Sequence, residues 1–141
     1  MIITELQQLY ATHPNVEGMC KLLKDNSVRH LYCSGLCASA ASLFSSVLVQ
    51  RAECPFVFIL GDLEEAGYFY HDLTQIFGNR TGVASSFRRA IKYGQKDAAN
   101  EILRTEVLSR LQKGEEGFCV VTYPDALAEK VVSRKELGDK P

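Results

Sequence analysis

Apolar residues recur along this chain with a period that changes several times, and each change marks an element. Leu6, Leu9 and Tyr10 fall at helical spacing, Pro14 interrupts them, and Val16, Met19, Cys20, Leu22 and Leu23 resume the pattern. Two short amphipathic helices are predicted over the first 25 residues. Beyond the turn-forming Asp25, Asn26 and Ser27, residues 28–33 read as a strand closed by Ser34 and Gly35. Residues 38–49 then carry so few polar positions that a helix buried on most sides is expected. Pro55 opens a second strand, residues 56–60, apolar on both faces as a central parallel strand should be.

Gly61 ends that strand, and Asp62 with Glu65 three residues on has the form of a helix cap. The helix so opened runs to Phe77, with Leu63, Ala66, Tyr70, Leu73 and Phe77 along one side and Gly78 as its stop. Residues 82–84 suggest only a thin strand. Residues 96–112 form the clearest helical pattern, with Ala99, Ile102, Leu103, Val107, Leu108 and Leu111 as the apolar side and Gly114 as the stop. A buried strand at 118–122, a helix at 124–132 and a polar, frayed tail at 133–141 complete the series.

Strand and helix alternation of this kind demands crossover connections. The predicted class is therefore α/β, a parallel sheet with helices on both faces. Residues 28–33, 56–60 and 118–122 are expected side by side in it. Ligands of such sheets bind at the carboxyl ends of the strands, which directs attention to Gly35, Gly61 and Tyr123.

Composition narrows the partners rather than the fold. The chain has 141 residues, 46% hydrophobic and 23% charged, with net charge −1. It is long enough to bury one core, and no global excess of charge singles out nucleic acid or an acidic membrane. The charge is uneven, however. Residues 53–77 hold five acids and no Lys or Arg, whereas 86–113 hold seven Lys/Arg against three acids. Arg88, Arg89 and Lys92 are expected to be exposed and to form a partner or interdomain surface, since unpaired buried charges are costly. No stretch approaches the ~20 apolar residues of a membrane span, and the start lacks the features of a signal peptide. Five cysteines, with Cys33, Cys37 and Cys119 in or beside apolar runs, suggest reduced, buried thiols in a cytoplasmic protein.

Candidate chemistry concentrates in the junction after residue 33. A phosphate-binding loop reads G-x-x-x-x-G-K-[ST] between strand and helix. Here Gly35 supplies the first glycine and Ser42 the final hydroxyl, but Ala40 stands for the second glycine and Ala41 for the lysine. The cation that would meet the β- and γ-phosphates is gone, and a methyl group intrudes on the turn. Neither ATP nor ADP is expected to bind, and no cofactor, catalytic residue or metal ligand is assigned. Asp62, Glu64 and Glu65 are better read as first-turn acids and a cap than as a metal site. Cys33 and Cys37 are spaced C-x3-C, unlike the C-x2-C of zinc and thioredoxin sites. A nucleotide-binding domain with a non-standard loop and a small thiol redox protein are the competing readings.

Three segments taken in order, 35–42, 56–66 with Tyr70, His71, Asp72 and Leu73, and 120–127, resemble the amino-terminal UvrB-like domain of bacterial transcription-repair coupling factors (Mfd). They are more remotely similar to the first helicase domain of the excision-repair protein UvrB. The resemblance covers nearly the whole chain. It implies a P-loop, RecA-like fold with a degenerate loop and a non-catalytic role. A helical segment at 1–25 would pack on an α/β domain at 26–132, with the tail 133–141 leading to a further domain that this chain lacks. It also implies a parent that is an ATP-driven DNA translocase acting in transcription-coupled nucleotide excision repair. That parent displaces stalled RNA polymerase and recruits UvrA, mainly through the neighbouring domain, while its ATPase motor lies in downstream domains. The aromatic hairpin with which UvrB grips DNA is short here, with Phe87 and Tyr93 its only aromatics.

Overall fold

The computed structural model describes residues 2–52, 54–78, 83–85, 98–115, 118–131 and 133–138. Two short helices, α1 (Ile3–Ala11) and α2 (Pro14–Lys24), open the chain, and the boundary between them is set by local chemistry. Proline occupies the first turn of α2, where its missing N–H costs nothing, and His13 caps that helix by accepting from the Asn15 amide through Nδ1 at 3.2 Å. The turn after α2 is an Asx turn: the Asp25 carboxylate accepts from both the amide and the hydroxyl of Ser27, at 2.9 and 2.6 Å. These two hydrogen bonds hold the Asp25 carboxyl below its usual pKa.

α3 (Ser39–Ala52) is the element around which the amino-terminal half assembles. Val16 and Cys20 of α2 bury against Val47 and Leu48, and Tyr10, Met19, Phe44 and Phe56 close the cluster. Gln7 of α1 adds a hydrogen bond to the fully buried hydroxyl of Ser46 at 3.1 Å.

The sheet has three strands, β1 (Phe56–Ile59), β2 (Val83–Ser85) and β3 (Cys119–Thr122), in the order β1-β3-β2, all parallel. Helix α4 (Leu63–Phe77) connects β1 to β2, and α5 (Ala98–Lys113) connects β2 to β3. Pairing of β1 with β3 sets Phe56 opposite Cys119 and Ile59 opposite Thr122. All four residues of β3 are buried, as befits a central strand covered on both faces. On one face Cys119, Val121, Phe56 and Phe58 meet Val49 of α3 and Ala66, Phe69, Leu73 and Phe77 of α4. On the other face Phe118 and Val120 meet Val107 and Leu111 of α5. The protein is thus mixed α/β, dominated by helices around a small parallel sheet.

Several expectations require correction. Residues 28–33 do not form a strand: they carry no ladder, and all but Val28 are exposed, Tyr32 at 93%. The buried side of α5 is Arg104 with Val107, flanked by the half-buried Leu108 and Leu111, whereas Ile102 and Leu103 face solvent. α6 (Pro124–Leu127) is a single turn and does not reach residue 132. The tail contains a helix, α7 (Arg134–Gly138), opened by a reciprocal cap in which the Ser133 amide and hydroxyl donate to Glu136 and the Glu136 amide to Ser133. No described helix is long and apolar enough to cross a membrane. The basic residues Arg88, Arg89 and Lys92, with Phe87 and Tyr93, lie outside the described residues.

Candidate functional site

The junction that leads into α3 is built differently from a working phosphate loop at each level. No strand precedes it. Residues 28–38 run as irregular chain, turning at Gly35 with φ +82° and again at Ala38 with φ +47°. Glycine takes the first of these conformations freely, but for Ala38 the left-handed region places Cβ close to the following carbonyl. The strain sits at the threshold of α3.

A phosphate loop works by leaving the first amides of its helix free to point at the anion. In this junction they turn inward. The Ala40 amide donates to the Cys37 carbonyl at 3.1 Å and the Ala41 amide to the Ala38 carbonyl at 3.3 Å. Side chains close what the backbone leaves. Ala41 packs against the main core, and Ser42 is 2% exposed, its hydroxyl donating to Asp72 Oδ2 of α4 at 2.9 Å. The hydroxyl that would face a magnesium ion in a nucleotide enzyme here ties two helices together.

The carboxyl end of β1 is also committed to structure. The Glu65 amide donates to Asp62 Oδ1 at 2.8 Å, and Glu65 Oε2 accepts from the Gly61 amide at 3.0 Å. The first bond is the N-cap the sequence leads one to expect and satisfies one orphan donor at the start of α4, whereas in the second Glu65 reaches past the cap residue to the amide before it. A Cβ at Gly61 would lie 2.8 Å from Glu65 Oε2, the movable end of that side chain, so a substitution there would displace the Glu65 carboxylate and leave the Asp62 cap bond in place. Among the described residues no three His, Cys, Asp or Glu side chains gather as a metal site would require.

At the end of β3 the decisive residue is one that sequence reasoning missed. Arg104, buried within α5, donates through Nη2 to the Ala126 carbonyl at 3.1 Å and pairs through Nη1 with the Glu129 carboxylate. It fastens α6 and the chain beyond it to α5. Its only sequence signal is its place three residues before Val107 and seven before Leu111, on the stripe that is buried.

The five thiols differ in exposure, with Cys54 half-buried between two extremes. Cys33 and Cys37 are exposed, against the expectation that they would be buried, while Cys20 and Cys119 are buried. Burial pushes the Cys119 thiol up to about 11, although the nearby Arg110 guanidinium works in the opposite direction. Such a thiol stays protonated and inert near neutral pH.

A cavity of about 730 Å³ opens between α1, α2 and the chain at 31–36, walled by Tyr10, Val16, Met19, Leu31, Tyr32 and Phe44. Its walls contain no lysine or arginine. Set against family models, curated proteins and solved structures, the chain matches none.

Proposed function

We propose that this chain is a non-catalytic UvrB-like module of a transcription-repair coupling factor, with a P-loop ancestry and a phosphate loop that no longer serves nucleotide. In this reading it is a scaffold for interdomain regulation and UvrA recruitment. The parent would be an ATP-dependent DNA translocase acting on stalled RNA polymerase through other domains, in the cytoplasm. Arg88, Arg89 and Lys92 would face those domains or a partner.

The observation that carries the proposal is the state of the junction 35–42. Ala40 and Ala41 stand where glycine and lysine would be, their amides are consumed by Cys37 and Ala38, and the Ser42 hydroxyl is bonded to Asp72. A junction that keeps Gly35 and Ser42 of the motif in its sequence while its donors serve the fold is what a scaffold descended from an ATPase would retain. The motif order, and a parallel sheet with helices on both faces, support the same reading.

The test is affinity purification of the tagged native protein from ultraviolet-irradiated cells. UvrA and RNA polymerase subunits are expected in the eluate, enriched over an untagged control. Recovery of neither would contradict the assignment.

A further inference from the structure

The sheet ends on an edge that no described residue covers. In the β1–β3 ladder the Phe56 amide donates to the Phe118 carbonyl at 3.2 Å and the Leu60 amide to the Thr122 carbonyl at 2.9 Å. Backbone direction alternates along a strand, so Phe56, Phe58 and Leu60 turn their N–H groups toward β3 while Val57 and Ile59 turn theirs outward. Among the described residues β1 pairs with β3 alone, which leaves those outward groups without a ladder.

The side chains of the same two residues are open as well. Val57 is 51% and Ile59 58% exposed, yet their ladder partners Val120 and Thr122 are buried. Among the described residues, the packing of α5 reaches Phe118 and Val120 and stops short of β1. Beyond the carboxyl end of β1 the exposed residues Asp62, Glu64 and Glu65 make the surface acidic, and no Lys or Arg occurs anywhere in 53–77.

We propose that the free edge of β1 is a β-augmentation site for an extended segment of a partner protein. That segment carries apolar residues at alternate positions, to lie along Val57 and Ile59, and Lys or Arg at the end beside Asp62 and Glu64. A docking helix would bury the outward N–H and C=O groups without satisfying them, whereas a strand pairs each one. A second copy presenting the same edge brings acids and no cation in 53–77, so charge complementarity favours a different chain.

The test uses the ¹⁵N-labelled protein and a short synthetic peptide alternating valine and threonine and ending in arginine–lysine. On saturation the Val57 and Ile59 amides are expected to shift and to exchange with solvent at least about tenfold more slowly. The same peptide N-methylated on alternate residues, and one ending in two glutamates, should each bind about tenfold or more weakly. Ile59→Pro removes an outward N–H without touching the ladder to β3 and should abolish binding; the N-methylated peptide asks the same question of the unaltered protein. Unchanged exchange at Val57 and Ile59, equal binding of the N-methylated peptide, or protection that grows with protein concentration alone would overturn the proposal.

Discussion

Two stretches of this chain carry similar apolar patterns and come to different ends. Residues 56–77 form β1 and α4 within a residue of where the pattern puts them. Residues 28–42, read as a strand, a turn and a helix, supply only the helix. Phe56 and Phe58 have β3 beside them and α4 above them, so each residue fixed in extended form gains a hydrogen bond and buried surface. Residues 28–33 have the same propensity but neither neighbour, and Arg29 and His30 lie exposed within them. Strand propensity expresses a fit to a half-buried pleated surface, and without that surface it decides nothing.

Truncating a leucine in each stretch should separate them most sharply. Leu73 of α4 is fully buried in the main core, whereas Leu31 is 39% exposed. Leu73→Ala is expected to cost ~2–5 kcal/mol in urea unfolding, and Leu31→Ala within ~0.5 kcal/mol. Comparable losses at the two sites would mean that the 28–33 stretch is structured far more than its exposure implies.

Next comes alkaline stability. The buried Cys119 thiol ionises near 11 in the folded protein, against 9.0 when free. Above the lower value the unfolded chain releases a proton that the folded protein retains, so unfolding becomes easier as pH rises from about 9 to 11. The contribution is fully present below pH 9 and is lost across that window, by at most ~2–3 kcal/mol. Cys119→Ala, compared with the unaltered protein at each pH by thermal melting, should show a shallower decline over the same range. Parallel curves would remove Cys119 as its source.

A smaller effect sharpens the reading of the junction itself. Ser42→Ala leaves the half-buried Asp72 carboxylate without that donor and is expected to cost ~1 kcal/mol in denaturant. The loss should be the same with and without MgATP. A difference between the two would show the hydroxyl serving a ligand rather than α4.

How far the sequence can be read follows from where its signals are local. The α4 cap at Asp62 and Glu65, the stops at Gly78 and Gly114, and the parallel pairing of β1 with β3 all rest on short-range chemistry or strong periodicity, and each is present. The reciprocal cap of Ser133 and Glu136 is equally local, but the polar tail around it hides the helix it opens. The buried side of α5 escapes the pattern because Arg104 is charged. Its guanidinium enters the protein only because the Ala126 carbonyl and the Glu129 carboxylate wait there, a fact of tertiary placement. The loss of the lysine and second glycine at Ala41 and Ala40 is legible in the sequence. The capture of their amides by Cys37 and Ala38, and of Ser42 by Asp72, is not.

All of this turns on whether the junction 35–42 serves the fold and not a nucleotide. Isothermal titration of the protein with MgATP, and separately with MgADP, decides between the two. No saturable heat is expected at millimolar nucleotide, corresponding to binding weaker than about −4 kcal/mol. A saturable isotherm with a micromolar dissociation constant, about −8 kcal/mol, would contradict that role for the junction.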